Sequence, residues 1–156
     1  MRDCDIEMTS KIVADSVYGC AGQRCLAASV IITVDDIERK LKDSLYDMVK
    51  SRKTGYGWND EIDMGPDITS DSKKRIEELI QIGINEGGKA ILDGRNTKIK
   101  GFENGNFINP TIIEDVNLKK EIINTEIFGP VMSLVSMKTL NNCLLYTSPS
   151  PRDVEE

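Results

Sequence analysis

Residues 19–34 of this 156-residue chain read GCAGQRCLAASVIITV, a turn-forming segment followed directly by an apolar run. The β-branched residues of ASVIITV at 28–34 predict a short strand that is buried on both faces. Gly19 and Gly22 predict that the helical pattern of residues 8–19 ends here and that the chain turns tightly before the strand. Because a turn between a helix and a buried strand is where α/β proteins expose reactive groups, Cys25 is the first candidate for a functional residue.

The pattern of helices continues after this segment. Residues 35–53 place their apolar side chains on one stripe of an amphipathic helix with an acidic start. Residues 54–69 have the Gly, Pro, Asn and Asp content of a loop. Thr69 or Ser70 can cap a further helix, which Gly87 and its neighbouring glycine end.

Three more strands are predicted between and after these helices. They are KAILDG at 89–94, FINPTIIEDV at 107–116 and EIFGPVMSLVSM at 126–137. Pro110 indicates that the second of them is an edge strand or begins irregularly. Strands that alternate with helices predict an α/β domain with a mainly parallel sheet flanked by helices.

The composition argues against several classes of protein. The formal net charge is −6, so the chain lacks the basic surface expected of a nucleic-acid-binding protein. No run of about 18 apolar residues is present, and we therefore predict no membrane-spanning helix. The acidic N-terminal stretch MRDCDIEMTSK has no apolar segment of the kind found in signal peptides.

Cysteine and histidine content restricts the possible chemistry. The chain has four cysteines and no histidine. Since no C-x-x-C pair occurs, a metal site would have to combine cysteines or carboxylates at spacings that the sequence does not show, and we predict none. Disulfides are not expected without a secretory signal. The missing histidine excludes a Ser-His-Asp triad or a Cys-His pair within this chain.

The residues around Cys25 leave two interpretations open. A free cysteine is commonly a small buried side chain. The second interpretation is a reactive cysteine. Gly22 permits a tight turn, and Arg24 is a permanent cation next to Cys25 that favours a thiolate. Cys20, between a glycine and an alanine, is expected to be a small packed side chain. A nucleophilic Cys25 would need activation by backbone dipoles, a cation or a carboxylate base.

The GQRC motif at 22–25, followed by a strand, resembles the active-site cysteine motif of the aldehyde dehydrogenase superfamily. Four further segments resemble that family in the same order: MGPDIT (64–69), EGGKAILDGR (86–95), KGFENGNFINPTII (100–113) and EIFGPV (126–131). The arginine before the cysteine and the GFENGNF stretch resemble its CoA-acylating methylmalonate-semialdehyde branch. The resemblance implies the catalytic-domain fold of that family, in part, over residues 1–142.

The resemblance implies a role for four side chains. Cys25 matches the nucleophile that attacks an aldehyde; the resulting thiohemiacetal passes a hydride to NAD and becomes a thioester, whose acyl group coenzyme A accepts. The backbone N–H of Cys25 matches one oxyanion donor. Arg24 matches an arginine that binds the substrate carboxylate. Glu126 matches the carboxylate that hydrogen-bonds the nicotinamide ribose, and Phe128 matches the ring that packs beside the nicotinamide.

The resemblance also implies what surrounds this segment. In that family the dinucleotide-binding domain and the asparagine of the oxyanion hole lie N-terminal to the matched segment. We therefore expect an internal piece, about a third of an enzyme, that is inactive alone. The implied partner is a small semialdehyde, malonate or methylmalonate semialdehyde, with no nucleic-acid or membrane partner. The full-length enzyme is expected to be a homo-oligomer, a tetramer, in the bacterial cytoplasm or the mitochondrial matrix.

The last residues break the α/β pattern. CLLYTSPSPRDVEE at 143–156 is a Ser/Pro-containing stretch that follows an unfinished strand–helix unit. It predicts a tail that is either disordered or not native to the protein.

Two other functions remain open at the level of sequence. One is a hydrolytic aldehyde dehydrogenase that releases a free acid, which the arginine at position 24 argues against through resemblance alone. The other is a non-enzymatic α/β binding module in which Cys25 is inert.

Overall fold

The computed structural model describes residues 3–144, and helices alternate with strands along most of this range. The helices are α1 (Ile6–Tyr18), α2 (Glu38–Lys50), α3 (Ser70–Asn85), α4 (Glu121–Asn124) and α5 (Leu140–Leu144), and the strands are β1 (Val30–Val34), β2 (Lys89–Leu92), β3 (Thr111–Glu114) and β4 (Val131–Met137). Within residues 3–144, none of the helices has both the length and the apolar character needed to cross a membrane. The predicted tail lies outside the described residues, apart from its first two positions, which belong to α5.

The four strands form one sheet in the order β1-β4-β3-β2. Strand β4 runs parallel to both β1 and β3, which confirms the prediction of a mainly parallel sheet. Strand β2 pairs antiparallel with β3. That orientation follows from the connection between them, because residues 93–110 contain no helix that could carry the chain across the sheet for a parallel pairing.

Strand β3 lies inside the sheet and all four of its residues are buried. The interpretation of its segment as an edge strand is therefore wrong. The alternative, an irregular start, agrees with the structure, since Pro110 directly precedes the first residue of β3 and its missing N–H falls outside the strand.

Helices cover both faces of the sheet. Neighbouring residues of a strand point to opposite faces, so each face contributes its own side chains to a separate core. Ile112 and Met132 pack in a core with α1 and α2. Their neighbours Ile113 and Val131 pack in a second core with α3 and α4. The two cores make a three-layer arrangement in which β3 and β4 are buried on both faces, as expected for strands of a parallel sheet.

Side-chain caps set the starts of the two helices that flank the candidate site. The carboxylate of Asp5 accepts a hydrogen bond from the N–H of Met8 at 2.9 Å at the start of α1. The hydroxyl of Thr69 accepts one from the N–H of Ser72 at 3.0 Å at the start of α3, which confirms the predicted cap.

Tyr18, the last residue of α1, ties this helix to the sheet. Its side chain is fully buried, and its hydroxyl donates a hydrogen bond to the carbonyl of Thr111 at 2.8 Å. Burial raises the pKa of Tyr18 well above its ordinary value, so the phenol remains a neutral donor. The bond fixes the C-terminal end of α1 over β3, directly before the turn that carries the cysteines.

Replacing this hydroxyl tests how much the tie contributes. We expect Tyr18→Phe to lower the free energy of unfolding by about 1–3 kcal/mol, because the hydrogen bond from the buried phenol to the carbonyl of Thr111 is lost. Tyr46→Phe, at a half-buried position of α2, is the matched control and should change the free energy little. Urea denaturation followed by circular dichroism measures both. Equal effects of the two changes would contradict the role given to the Tyr18 bond.

Candidate active site

The fold brings together the four side chains that the sequence singled out. Arg24 and Cys25 lie in the turn before β1, and Glu126 and Phe128 lie about a hundred residues later, before β4. All four line one narrow cleft of about 60 Å³. The remaining lining residues are Gly22, Ala27, Ala28, Ser29, Ile127 and Gly129. Parallel pairing of β1 with β4 explains this convergence, since the segments that precede the two strands meet at the same edge of the sheet.

The turn before Cys25 has an unusual backbone. Three successive residues have left-handed φ angles: Cys20 at 52°, Ala21 at 53° and Gly22 at 71°. Such angles are unfavourable for residues with a Cβ, so the surrounding contacts must impose them on the first two residues. The reversal leaves Cys20 exposed, and the expectation that Cys20 is a packed side chain is wrong.

Cys25 itself is exposed to the cleft region and is not a buried core residue. It lies within a second turn, which is closed by a hydrogen bond from the N–H of Ala27 to the carbonyl of Arg24 at 3.0 Å. Among the hydrogen bonds of residues 3–144, none involves the N–H of Cys25. The thiol and this N–H therefore remain available to a small molecule.

The two sides of the cleft approach each other closely at the backbone of Gly22 and Gly129. A Cβ atom placed on Gly22 would lie 2.1 Å from the carbonyl oxygen of Gly129, so only glycine fits at this position. Gly129 in turn lies against α3, because a Cβ there would be 2.6 Å from the side chain of Ile76. The cysteine turn, the segment before β4 and helix α3 are thus stacked in direct contact.

Arg75 on α3 holds the second side of the cleft. Its guanidinium donates to the carbonyl of Glu126 at 3.1 Å and to that of Ile127 at 2.5 Å. Ile127 is buried, whereas the side chains of Glu126 and Phe128 are exposed and line the cleft. The arginine therefore fixes the backbone that presents the carboxylate and the ring. Its role was not predicted, since an arginine on an exposed helix face gives no sequence signal of a long-range contact.

Arg24 and Ser16 join the cysteine turn to the end of α1. Nη2 of Arg24 donates to the carbonyls of Asp15 and Ser16 at 2.7 and 3.4 Å. The hydroxyl of Ser16 accepts a hydrogen bond from the N–H of Ala28 at 3.0 Å. In the described part of the chain, the hydrogen bonds of Arg24 use Nη2, and Nε and Nη1 have no partner there.

Gln23 links the turn to the segment at 66–68. Its Nε2 donates to the carbonyls of Cys20 at 3.2 Å and Pro66 at 3.3 Å, and its Oε1 accepts from the N–H of Ile68 at 3.0 Å. The sequence contained a usable signal for this role, since a side-chain amide can both donate and accept and Gln23 lies two residues before the candidate nucleophile. Sequence reasoning nevertheless did not assign it.

Asp67, near the site, has a strongly shifted pKa. Its side chain is buried, and within residues 3–144 neither of its carboxylate oxygens has a hydrogen-bond partner. Burial raises the pKa of Asp67 to about 7; nearby Lys73 opposes this shift and Glu77 adds to it. Nothing in the sequence indicated a buried acid at this position.

The donor groups at the cleft suit an organic ligand. No group of three or more metal-ligating side chains occurs within residues 3–144. The exposed residue Glu126 and Phe128, which is 38% exposed, line the same cleft as Cys25. This arrangement can bind a ligand that has hydroxyl groups and a flat ring beside a nucleophile.

Comparison with known proteins gives a consistent result. The model of the aldehyde dehydrogenase family matches residues 1–147. The methylmalonate-semialdehyde/malonate-semialdehyde dehydrogenase [acylating], mitochondrial, of Mus musculus is 38% identical over 151 residues, which are 97% of this chain and 28% of that protein. The human protein of the same name is 36% identical over the same share of both chains. The chain thus spans less than a third of the length of these curated relatives.

Solved structures agree with this comparison. A protein from Sinorhizobium meliloti 1021, assigned as a methylmalonate-semialdehyde dehydrogenase and solved with NAD, has a TM-score of 0.89 and 38% identity. The alignment covers 92% of this chain and 30% of that one. Betaine aldehyde dehydrogenase from Staphylococcus aureus, in complex with NAD+, has a TM-score of 0.88 and 28% identity, with 92% and 29% covered.

The glycine contact between the two sides of the cleft can be tested directly. We expect Gly22→Ala to lower the free energy of unfolding by at least about 2 kcal/mol, because a Cβ would combine a left-handed φ with a clash against Gly129. Gly57→Ala is the matched control, since a Cβ there meets no atom within 4 Å. It should leave the free energy unchanged or raise it by up to about 1 kcal/mol. Chemical denaturation of the two variants is the measurement, and a stable Gly22→Ala protein would refute the close contact.

Proposed function

The chain belongs to the aldehyde dehydrogenase family, and on that premise we propose that it is part of an NAD-dependent, CoA-acylating dehydrogenase of methylmalonate and malonate semialdehyde. The observation that carries the proposal is the single cleft lined by Arg24, Cys25, Glu126 and Phe128. The names of the relatives support the choice of substrate and of the acylating reaction.

In this proposal Cys25 is the nucleophile. The exposed Cys25 loses its S–H proton to solvent, and the thiolate attacks the aldehyde carbon, so that the carbonyl oxygen of the substrate becomes an oxyanion. The N–H of Cys25, which has no partner among the described residues, donates to that oxyanion. Loss of a hydride from the tetrahedral adduct gives a thioester on the sulfur, and transfer of the acyl group to the thiol of coenzyme A returns Cys25 to its free form.

Glu126 and Phe128 would hold NAD, which supplies a hydride acceptor when it is bound. A carboxylate accepts hydrogen bonds from ribose hydroxyls, and an aromatic ring packs against a flat heterocycle. Both side chains line the same cleft as the sulfur, so a ring held by them would stand beside the tetrahedral adduct. Arg75 contributes indirectly, because it fixes the carbonyls of Glu126 and Ile127.

Arg24 would select substrates that carry a carboxylate. It lines the cleft beside Cys25, and its Nε and Nη1 are not used in the hydrogen bonds of the described residues. A guanidinium binds a carboxylate in a planar, paired geometry, which fits a semialdehyde with an acid at its far end. The structure also supports another role for Arg24, since Nη2 already binds the end of α1.

The proposal includes an assembly and a location. We propose that the full-length enzyme is a homo-oligomer, a tetramer, as the resemblance to the family implies. The mouse and human relatives are named mitochondrial, and we propose the mitochondrial matrix if the source is eukaryotic and the cytoplasm if it is bacterial.

The nucleophile is tested by two serine substitutions in the full-length enzyme. Cys25→Ser should lower kcat by at least about a thousandfold, because a hydroxyl without a base is a far weaker nucleophile than a thiolate. Cys20→Ser is the matched control, since Cys20 is an exposed cysteine in the same turn, and it should keep most of the activity. Steady-state rates of NADH formation measure both. If Cys20→Ser abolished turnover and Cys25→Ser did not, the assignment would be reversed.

The role of Arg24 is tested by comparing two aldehydes. If it binds the substrate carboxylate, Arg24→Gln should lower kcat/KM for methylmalonate semialdehyde by about 10- to 150-fold, the typical cost of a charged hydrogen bond that loses its partner. Propanal, which has no carboxylate, should be affected much less. Steady-state kinetics with both aldehydes gives the comparison.

The competing role predicts a different pattern. If Arg24 mainly fastens the cysteine turn to α1, both aldehydes should lose the same factor in kcat/KM, and the variant should also unfold at a lower urea concentration. Equal losses would therefore remove Arg24 from substrate recognition and, with it, the structural reason for choosing the semialdehyde branch.

A further inference from the structure

The burial of Asp67 and Ile68 is the reverse of what their side-chain chemistry predicts. The acid is 3% exposed and the isoleucine 79% exposed. Both carboxylate oxygens of Asp67 lack a hydrogen-bond partner within residues 3–144. An ionised carboxylate that is buried in this way loses its hydration without gaining a hydrogen bond from the protein. Its burial is therefore unfavourable unless a proton neutralises it.

The segment that carries Asp67 is fastened on two sides. The N–H of Asp67 donates to the carbonyl of Asn106 at 2.8 Å. The carbonyl of Pro66 and the N–H of Ile68 are both bound by the side chain of Gln23. We call the segment 66–68, held in this way, the Asp67 segment.

Gln23 also fixes the turn that leads to the thiol. Its N–H donates to the carbonyl of Cys20 at 3.1 Å, and its Nε2 donates to the same carbonyl at 3.2 Å. Cys25 follows two residues later. A single side chain thus ties the left-handed turn to the Asp67 segment, and movement of that segment removes two of the contacts that hold the turn.

The charges that face Asp67 come from α3. Lys73 attracts the carboxylate, and Glu77, which accepts a hydrogen bond from the N–H of Asn96, repels it. The other two contacts of the segment, Gln23 and Asn106, contribute uncharged groups. Burial outweighs these charges and raises the pKa of Asp67 to about 7. The uncharged acid is therefore the form that fits the buried place.

We propose that Asp67 is a proton-dependent positioning residue: in its uncharged form it seats the Asp67 segment and thereby steadies the turn before Cys25, and in its ionised form it releases both. The sign follows from linkage. A carboxyl whose pKa is higher in the seated form than in the released form favours seating at low pH, and this contribution is lost as the pH rises towards the higher pKa. The consequence for catalysis rests on the proposed role of Cys25; the coupling between segment and turn does not.

Amide hydrogen exchange in the full-length protein tests the coupling. The informative amides are those of Asp67, Ile68 and Gln23, because all three are hydrogen-bonded in the seated form. With an ordinary pKa of 3.8 in the released form and about 7 in the seated form, protection corrected for intrinsic exchange should fall about fiftyfold from pH 5 to 7. It should fall only about twofold more from pH 7 to 9.

Two matched variants and one uncoupling variant complete the experiment. Asp67→Asn has the same shape and cannot ionise, so all three amides should show protection that is nearly independent of pH. Asp60→Asn removes an exposed carboxylate of the preceding loop and should keep the wild-type curve. In Gln23→Ala the amide of Asp67, whose acceptor is the carbonyl of Asn106, should keep its pH dependence, while the amide of residue 23 should lose it. The amide of Ile68 loses its acceptor in this variant and should exchange without protection.

The outcomes separate the proposal from simpler explanations. A flat wild-type curve from pH 5 to 7, or the same curve in Asp67→Asn, would overturn the role of Asp67. A response at Asp67 and Ile68 with none at Gln23 would overturn the coupling to the turn. Because exchange does not depend on aldehyde turnover, a failure of the proposed dehydrogenase function would leave these curves unaffected.

Discussion

The close approach of Gly22 to the carbonyl of Gly129 is the contact on which the candidate site depends. It brings the turn before β1 against the segment before β4, and these two segments carry every side chain that lines the cleft. The parallel pairing of β1 with β4 places the two segments at one edge of the sheet, but pairing alone leaves the distance between them undetermined. Two glycines without side chains reduce that distance to backbone contact.

Hydrogen bonds from side chains to the backbone then hold the two sides of the cleft in place. Arg24 and Ser16 fasten the cysteine turn to α1, and α1 is fixed over the sheet by the buried hydroxyl of Tyr18. Arg75 fastens the opposite wall to α3. Each of these contacts ends on a backbone carbonyl or N–H, so they constrain the course of the chain and leave the thiol, the carboxylate and the ring free to meet a ligand.

Much of this arrangement could be predicted from the sequence, and the limits have physical causes. Periodicity and capping residues located α1, α3 and the strands, because local patterns determine where such elements begin and end. The left-handed angles at Cys20 and Ala21 gave no signal, since neither residue favours them and distant contacts impose them. The burial of Asp67 was equally hidden, because an acid between a proline and an isoleucine is usually a solvated loop residue.

The backbone contact at Gly129 also bears on how this region can change in evolution. Strand β4 begins two residues later, with Val131 already in register against Thr111 of β3. The site can therefore accept new side chains at positions such as Glu126 and Phe128, but the number of residues between Gly129 and the start of β4 cannot change. The loop at 54–62, with several exposed residues, is free of that constraint. Insertions and deletions should thus accumulate in that loop, while the segment before β4 diverges by substitution alone.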